Sequence, residues 1–195
     1  MPIFASGLGL VLFDFALFVL IASEIFGAAL IPRLRSRGAT RVKKDRGSRG
    51  LITFAILVSM LISFYFGYAG VGALPDWIFY VGIFLMFFGV LVRQYAIAIL
   101  GRFFSLSVHI SEDHKVVDTG PYRLVRHPSY TGIMIMSIGL GLAVQSLAAL
   151  LVLLLFFSIS FGYRMYVEER ALLSGLGQDY ASYMKRTKRL IPFVI

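Results

Sequence analysis

Two short polar clusters in a greasy chain hold the residue types that could do chemistry. The first is PYRLVRHPSYTG, residues 121–132, with two arginines, a histidine, two prolines and two tyrosines. The second is RMYVEER, residues 164–170. Pro128 forces His127 out of helical geometry and can itself open a helix. His127 is then held at a helix start, beside backbone N–H groups that lack intrahelical acceptors, a place that suits an anionic or polar ligand group. Arg164 and Glu168 stand at i and i+4 and share one face of a helix. An arginine fork fits a carboxylate, and a glutamate accepts hydrogen bonds from amino or hydroxyl groups. The chain has no cysteine, which excludes thiolate nucleophiles, thiolate metal sites and disulfides. No metal-ligand set is expected.

The elements that must position these clusters are membrane helices. Of the 195 residues, 58% are hydrophobic, and the excess lies in long runs. A helix that crosses the hydrocarbon needs about 20 mostly apolar residues. Five such runs are expected: Leu8 to Ile31, Leu51 to Gly70, Trp77 to Leu100, a short one from Tyr130 to Val144, and Leu147 to Val167. The last two form a tight hairpin through Gln145-Ser146. The N-terminal run lacks the basic start and the cleavage site of a signal peptide and is expected to be the first of the five. The fold class is thus an all-α integral membrane protein with a cytosolic loop and C-terminal segment. The whole of 1–195 is expected to act as one domain, with three helices in 1–100 and the catalytic region in 101–195.

Charge placement fixes the expected orientation. The net charge is +9. The loop RLRSRGATRVKKDRGSRG, the loop after the third helix and the C-terminal tail are rich in Lys and Arg. The turns Val71–Pro75 and Gln145–Ser146 contain neither. The positive-inside rule puts the basic side in the cytoplasm, with the N-terminus outside and the C-terminus inside. The basic loop is expected to meet lipid headgroups and not nucleic acid, because no recognition motif or aromatic interleaving accompanies it. The localisation expected is a multi-pass protein, of the cell membrane if the source is a prokaryote.

Charges inside the membrane are costly and mark a partner or a function. Glu24 in the first helix and Arg93 in the third lie at similar depth and are expected to form an ion pair, with the lining of a substrate cavity as the alternative. Asp14 lies nearer the outer end and reaches water. Gly139 and Gly141 allow close packing of the hairpin.

The pattern G-P-Y-R-x-V-R-H-P-x-Y-x-G, followed by E-E-x-x-L at Glu168 to Leu172 and by G-x-x-Y-x-x-Y at Gly177, Tyr180 and Tyr183, resembles the isoprenylcysteine carboxyl methyltransferase family. The likeness runs from about His114 to Phe193. The first two helices match only in being apolar, and the length resembles a minimal prokaryotic or archaeal member. The resemblance implies S-adenosylmethionine as cofactor and S-adenosylhomocysteine as product. By resemblance, His114, Lys115, Val116, Val117 and Tyr122 contact the cofactor. His127, Pro128, Ser129 and Tyr130 complete its wall, and Glu168 accepts hydrogen bonds from it. Arg164 matches the position that holds the substrate carboxylate. The implied substrate is a lipid-like, prenylcysteine-type carboxylate that enters sideways from the bilayer. Three rivals stand beside this reading: a phospholipid N-methyltransferase, an NADPH-dependent membrane reductase, and a lipid-binding protein without catalysis. No G-x-G-x-x-G follows a strand, so a soluble Rossmann-type methyltransferase is not expected.

Overall fold

The computed structural model describes residues 2–27, 41–43, 47–104, 109–111 and 115–192. Its long helices are α1 (Gly7–Ile25), α2 (Ser48–Ala69), α3 (Trp77–Leu100), α4 (Pro128–Ala143) and α5 (Leu147–Leu176). A short amphipathic helix, α6 (Gln178–Arg186), follows. Three-residue strands β1 (Arg41–Lys43) and β2 (His109–Ser111) pair antiparallel. That ladder is a small addition to a fold that is otherwise helical, as expected. Three residues are too few for an alternating pattern to be read as a strand.

Among the described residues four helices, α1, α2, α3 and α5, are long and apolar enough to cross a membrane. The fifth apolar helix, α4, has only 16 residues. The expected first run reached Ile31, of which residues 28–31 lie outside the described ones. A larger difference is at α5, which continues to Leu176. RMYVEER therefore sits well inside a continuous helix and does not mark its end.

The helices pack in the spatial order α1, α3, α4, α5, α2. Small residues set the tightest contacts, as membrane helices require where lipid tails offer no hydrophobic contrast. On α2, Ala55, Ser59, Ser63 and Gly67 recur every fourth residue and are buried, and Ser63 donates to the Ala149 carbonyl of α5 at 3.4 Å. Between α3 and α4 the fit is closer. A Cβ on Gly89 would lie 2.6 Å from the Met136 side chain and 2.7 Å from the Gly132 carbonyl oxygen, and one on Gly139 would lie 2.6 Å from the Met86 backbone nitrogen. Gly139→Val should therefore push α3 from α4 and destabilise the bundle by about 1–3 kcal/mol. Thermal unfolding in detergent measures this, and an unshifted midpoint would contradict the packing.

At the end of the bundle away from the polar clusters, Gln145 adopts φ 55. It ties three segments together, accepting from Ile3 N at 2.8 Å and donating to Asp76 Oδ1 at 3.0 Å, while its carbonyl accepts from Leu74 N at 2.9 Å. The expected α4–α5 hairpin turns here.

Glu24 and Arg93 meet as expected. Arg93 Nη2 donates to Glu24 Oε2 at 2.6 Å, with a second, closer contact from Nε to Oε1. Arg93 also donates to the Ser129 carbonyl at 3.4 Å. The pair thus joins α1 and α3 to the start of α4.

Candidate functional site

A cavity opens where α3, α5 and α6 meet the segment 115–130. Of the residues expected around a cofactor, Lys115, Val116, Val117, Tyr122, His127, Ser129 and Tyr130 line it, as do Glu168 and Arg164. Pro128 opens α4 and is fully buried beneath the wall. His114 lies outside the described residues.

The two polar clusters converge because α4 and α5 form an antiparallel hairpin. His127 caps α4 through its carbonyl, which accepts from Tyr130 N at 2.9 Å and Thr131 N at 3.1 Å. Its backbone is non-helical, φ −124 and ψ 55, as Pro128 demands. The His127 ring lies nearly parallel to that of Tyr130, 5.4 Å between centroids. Tyr130 then bridges the two charged groups of α5. Its hydroxyl donates to Glu168 Oε2 at 2.7 Å and accepts from Arg164 Nε at 3.1 Å. Arg164 Nη1 donates to Ser48 Oγ at 2.9 Å. Glu168 Oε2 lies 3.7 Å from Arg164 Nε, too far for a hydrogen bond. The Arg164 side chain is 3% exposed and that of Glu168 27%. Arg164 is thus a buried, oriented donor, and Glu168 is the carboxylate turned partly toward the opening.

Glu169 is a buried hub. It accepts from Arg126 Nε at 2.9 Å and Arg189 Nη2 at 2.8 Å, and lies 3.3 Å from His127 Nε2. Arg126 reaches on to the Met184 carbonyl at 3.2 Å and to that of Thr187. Around this hub the tail is laced to the loop. Arg126 N donates to Lys188 O at 2.7 Å and His127 N to Arg189 O at 3.0 Å. Thr131 Oγ1 donates to Leu190 O at 2.7 Å, and Tyr183 donates to the Tyr122 carbonyl at 2.7 Å.

Leu100, Phe103, Phe104, Arg126, Leu172 and Leu176 also line the cavity and were not singled out as site residues. Leu172 and Leu176 follow Glu168 at successive four-residue steps, which puts all three on one helix face. Tyr180 and Tyr183 complete the lining from α6. Burial pushes the Tyr183 phenol up to about 12, with Arg126 pulling the other way. Burial also raises Tyr122 and Tyr180, helped by the charge of Glu168 on the first and of Glu169 and Glu168 on the second. All three phenols are neutral at physiological pH. The site combines the Glu168 carboxylate, the cationic side chains of Arg164, Arg126 and Lys115, and aromatic and aliphatic walls.

The sequence profile of the isoprenylcysteine carboxyl methyltransferase (ICMT) family matches residues 81–174, from α3 through Arg164, Glu168 and Glu169. Over this stretch the chain resembles that family. The "Probable protein-S-isoprenylcysteine O-methyltransferase" of Oryza sativa subsp. indica is 32% identical over 121 residues, 59% of this chain and 61% of the plant protein. The cobalt-zinc-cadmium resistance protein CzcN of Cupriavidus metallidurans is 33% identical over 98 residues, 50% of this chain and 45% of its own length. The solved eukaryotic intramembrane Ras methyltransferase ICMT superposes with a TM-score of 0.61 at 30% identity, over 73% of this chain and 52% of that one. The chain thus spans about three fifths of the plant relative's length and about half of the solved enzyme's.

Proposed function

We propose that this chain is an integral membrane carboxyl O-methyltransferase that uses S-adenosylmethionine and acts on a lipid-like, prenylcysteine-type carboxylate. The observation that carries this reading is the linked pair on α5, Arg164 and Glu168, joined through the Tyr130 hydroxyl at one cavity. The donor set fits the cofactor. Glu168 offers an acceptor to amino or ribose groups, and the walls are apolar and aromatic. S-adenosylmethionine supplies an electrophilic methyl group on a sulfonium. A carboxylate acceptor is already ionised at neutral pH, so the residues need only strip its water, hold it and aim it. Arg164 suits that role, because it is buried at the cavity and its planar fork matches a carboxylate. Positioning of this kind is worth several kcal/mol. An amine acceptor would gain nothing from a guanidinium beside it, which disfavours the N-methyltransferase alternative.

The same reading includes five membrane crossings, with the N-terminus outside and the C-terminus cytoplasmic. At 1.5 Å per residue, α4 is about 24 Å long, short of a hydrocarbon core of about 30 Å. Its N-terminal end is then recessed, which leaves room for the cavity at the cytoplasmic interface. The acceptor's lipid chain enters sideways between helices, and the cofactor enters from the cytoplasm. Residues 1–195 act as one domain, 1–100 as scaffold and 101–195 as the catalytic region.

Calorimetric titration of detergent-purified protein with S-adenosylhomocysteine and, separately, NADPH tests the class. Saturable binding of the first alone is expected, followed by methyl transfer to S-farnesylcysteine. Binding of NADPH alone would replace this reading with the reductase. Glu168→Ala should weaken S-adenosylhomocysteine binding about 10–100-fold, the loss of a charged acceptor worth about 1.5–3 kcal/mol. An unchanged affinity would remove Glu168 from the cofactor site.

A further inference from the structure

Beside the cavity, three exposed cations stand without a carboxylate partner. We propose that they select among acceptors by charge, favouring a lipid acid that carries negative charge beyond its reacting carboxylate and disfavouring one attached to a basic chain; this rests on the carboxyl methyltransferase reading above.

Each of the three follows closely on a residue of the wall. Arg123 comes directly after Tyr122, and Lys185 two places after Tyr183; both tyrosines line the cavity. Lys188 pairs with Val125 through a parallel backbone bridge, next to Arg126 of the wall. Tyr183 donates to the Tyr122 carbonyl at 2.7 Å, and Lys188 N donates to Leu124 O at 3.2 Å. The three cations are thus gathered on one seam, where α6 and the tail meet the loop. Carboxylates of that seam are already paired. Asp118 accepts from Arg186 Nη2 at 2.8 Å, and Glu169 is held by Arg126 and Arg189. Among the described residues, Arg123, Lys185 and Lys188 make no side-chain hydrogen bond or ion pair. Asp179, at the opposite end of α6 from Lys185, offsets one charge of the three. The wider surroundings have the same sign, since residues 101–195 hold ten Lys and Arg against six Asp and Glu.

The positive-inside rule accounts for Lys and Arg on this side of the membrane, but it does not require them to stand unpaired beside the cavity. A cleft of one sign gathers ligands of the other and speeds their capture by about 10–10³-fold, an effect that falls with ionic strength. A basic chain meets the same field as repulsion. Every acceptor brings one reacting carboxylate, so the discrimination comes from the charges it carries elsewhere.

The test uses the full chain in nanodiscs of zwitterionic phosphatidylcholine, whose surface adds no net charge. Three synthetic acceptors share a C-terminal S-farnesylcysteine and differ in the two residues before it, Asp-Asp, Ser-Ser or Lys-Lys. At about 0.01 M ionic strength, where the Debye length is about 30 Å, kcat/KM should fall in that order. The ends should differ by about 10-fold or more. The spread should close at about 1 M, where the Debye length is about 3 Å. The triple variant Arg123→Gln, Lys185→Gln, Lys188→Gln should bring the three acceptors within about threefold of one another at low salt. Its S-adenosylhomocysteine affinity and its rate on the Ser-Ser acceptor should stay within about twofold of the parent's, as for exposed substitutions. Equal kcat/KM for the three acceptors in the parent, or a spread that salt does not shrink, would overturn the inference. So would a spread that survives in the triple variant, which would leave these cations to membrane orientation alone. If the parent binds S-adenosylhomocysteine but methylates none of the acceptors, the carboxylate reading itself fails. Methylation of all three alike sinks only the charge selection.

Discussion

Arg164→Ala should bind S-adenosylhomocysteine nearly as tightly as the parent and turn over acceptor at about 10⁻² to 10⁻³ of its rate. The loss is of the size found when one preorganised donor is removed from a reacting anion, about 2.7–4 kcal/mol. Cofactor binding should survive because the link that places Glu168 does not pass through Arg164. The Tyr130 hydroxyl donates to Glu168 at 2.7 Å, and Arg164 only donates into the same hydroxyl oxygen from the other side at 3.1 Å. Calorimetry paired with initial rates separates the two effects. Equal losses in binding and turnover would make Arg164 part of the cofactor site or of the fold. Full turnover would remove it from the chemistry.

Glu169→Ala should be the more damaging change to the fold. Its side chain is 5% exposed and lies against Arg126, itself 9% exposed, and against His127 at 4%. Breaking a buried charge pair by deleting one partner costs about 3–5 kcal/mol, because the other charge stays buried and uncompensated. Arg189 adds less, since it is 47% exposed and screened by solvent. The consequence should be local first. Without Glu169, the Lys188–Leu190 strap loses the side-chain clamp beside its backbone bonds to Arg126 and His127. Limited trypsin cleavage at Lys185, Arg186, Lys188 and Arg189 should accelerate, and S-adenosylhomocysteine affinity should fall with it. A tail as resistant as the parent's would show that the backbone ladder holds it alone. The contrast with Glu168 matters. These two neighbours on one helix have opposite surroundings, one turned partly toward the cavity and one locked beneath the tail.

That contrast marks what could be read in advance. Long apolar runs, a kinked polar segment at Pro128 and an i, i+4 pair at Arg164 and Glu168 are local patterns. Helix periodicity and proline geometry act over a few residues, so sequence alone determined the apolar helices and the α4–α5 hairpin, while the residues of the cavity wall were named through the family resemblance. Depth along a helix follows from a fixed rise per residue, so the Glu24–Arg93 pair was also legible. Where α5 ends was not, because Arg164 to Arg170 look like a helix terminus when their partners are unknown. Nor could the sequence say which of Glu168 and Glu169 is buried. They are adjacent and chemically identical, and the choice is made by Arg126, His127 and Arg189, which arrive from a loop and a tail. Ser48 was invisible for the same reason. Its hydrogen bond to Arg164 crosses the bundle to α5. Local chemistry wrote the motif, while the packing of α2 against α5 and the return of the tail decided which of its charges are held, which are shielded, and which face the cavity.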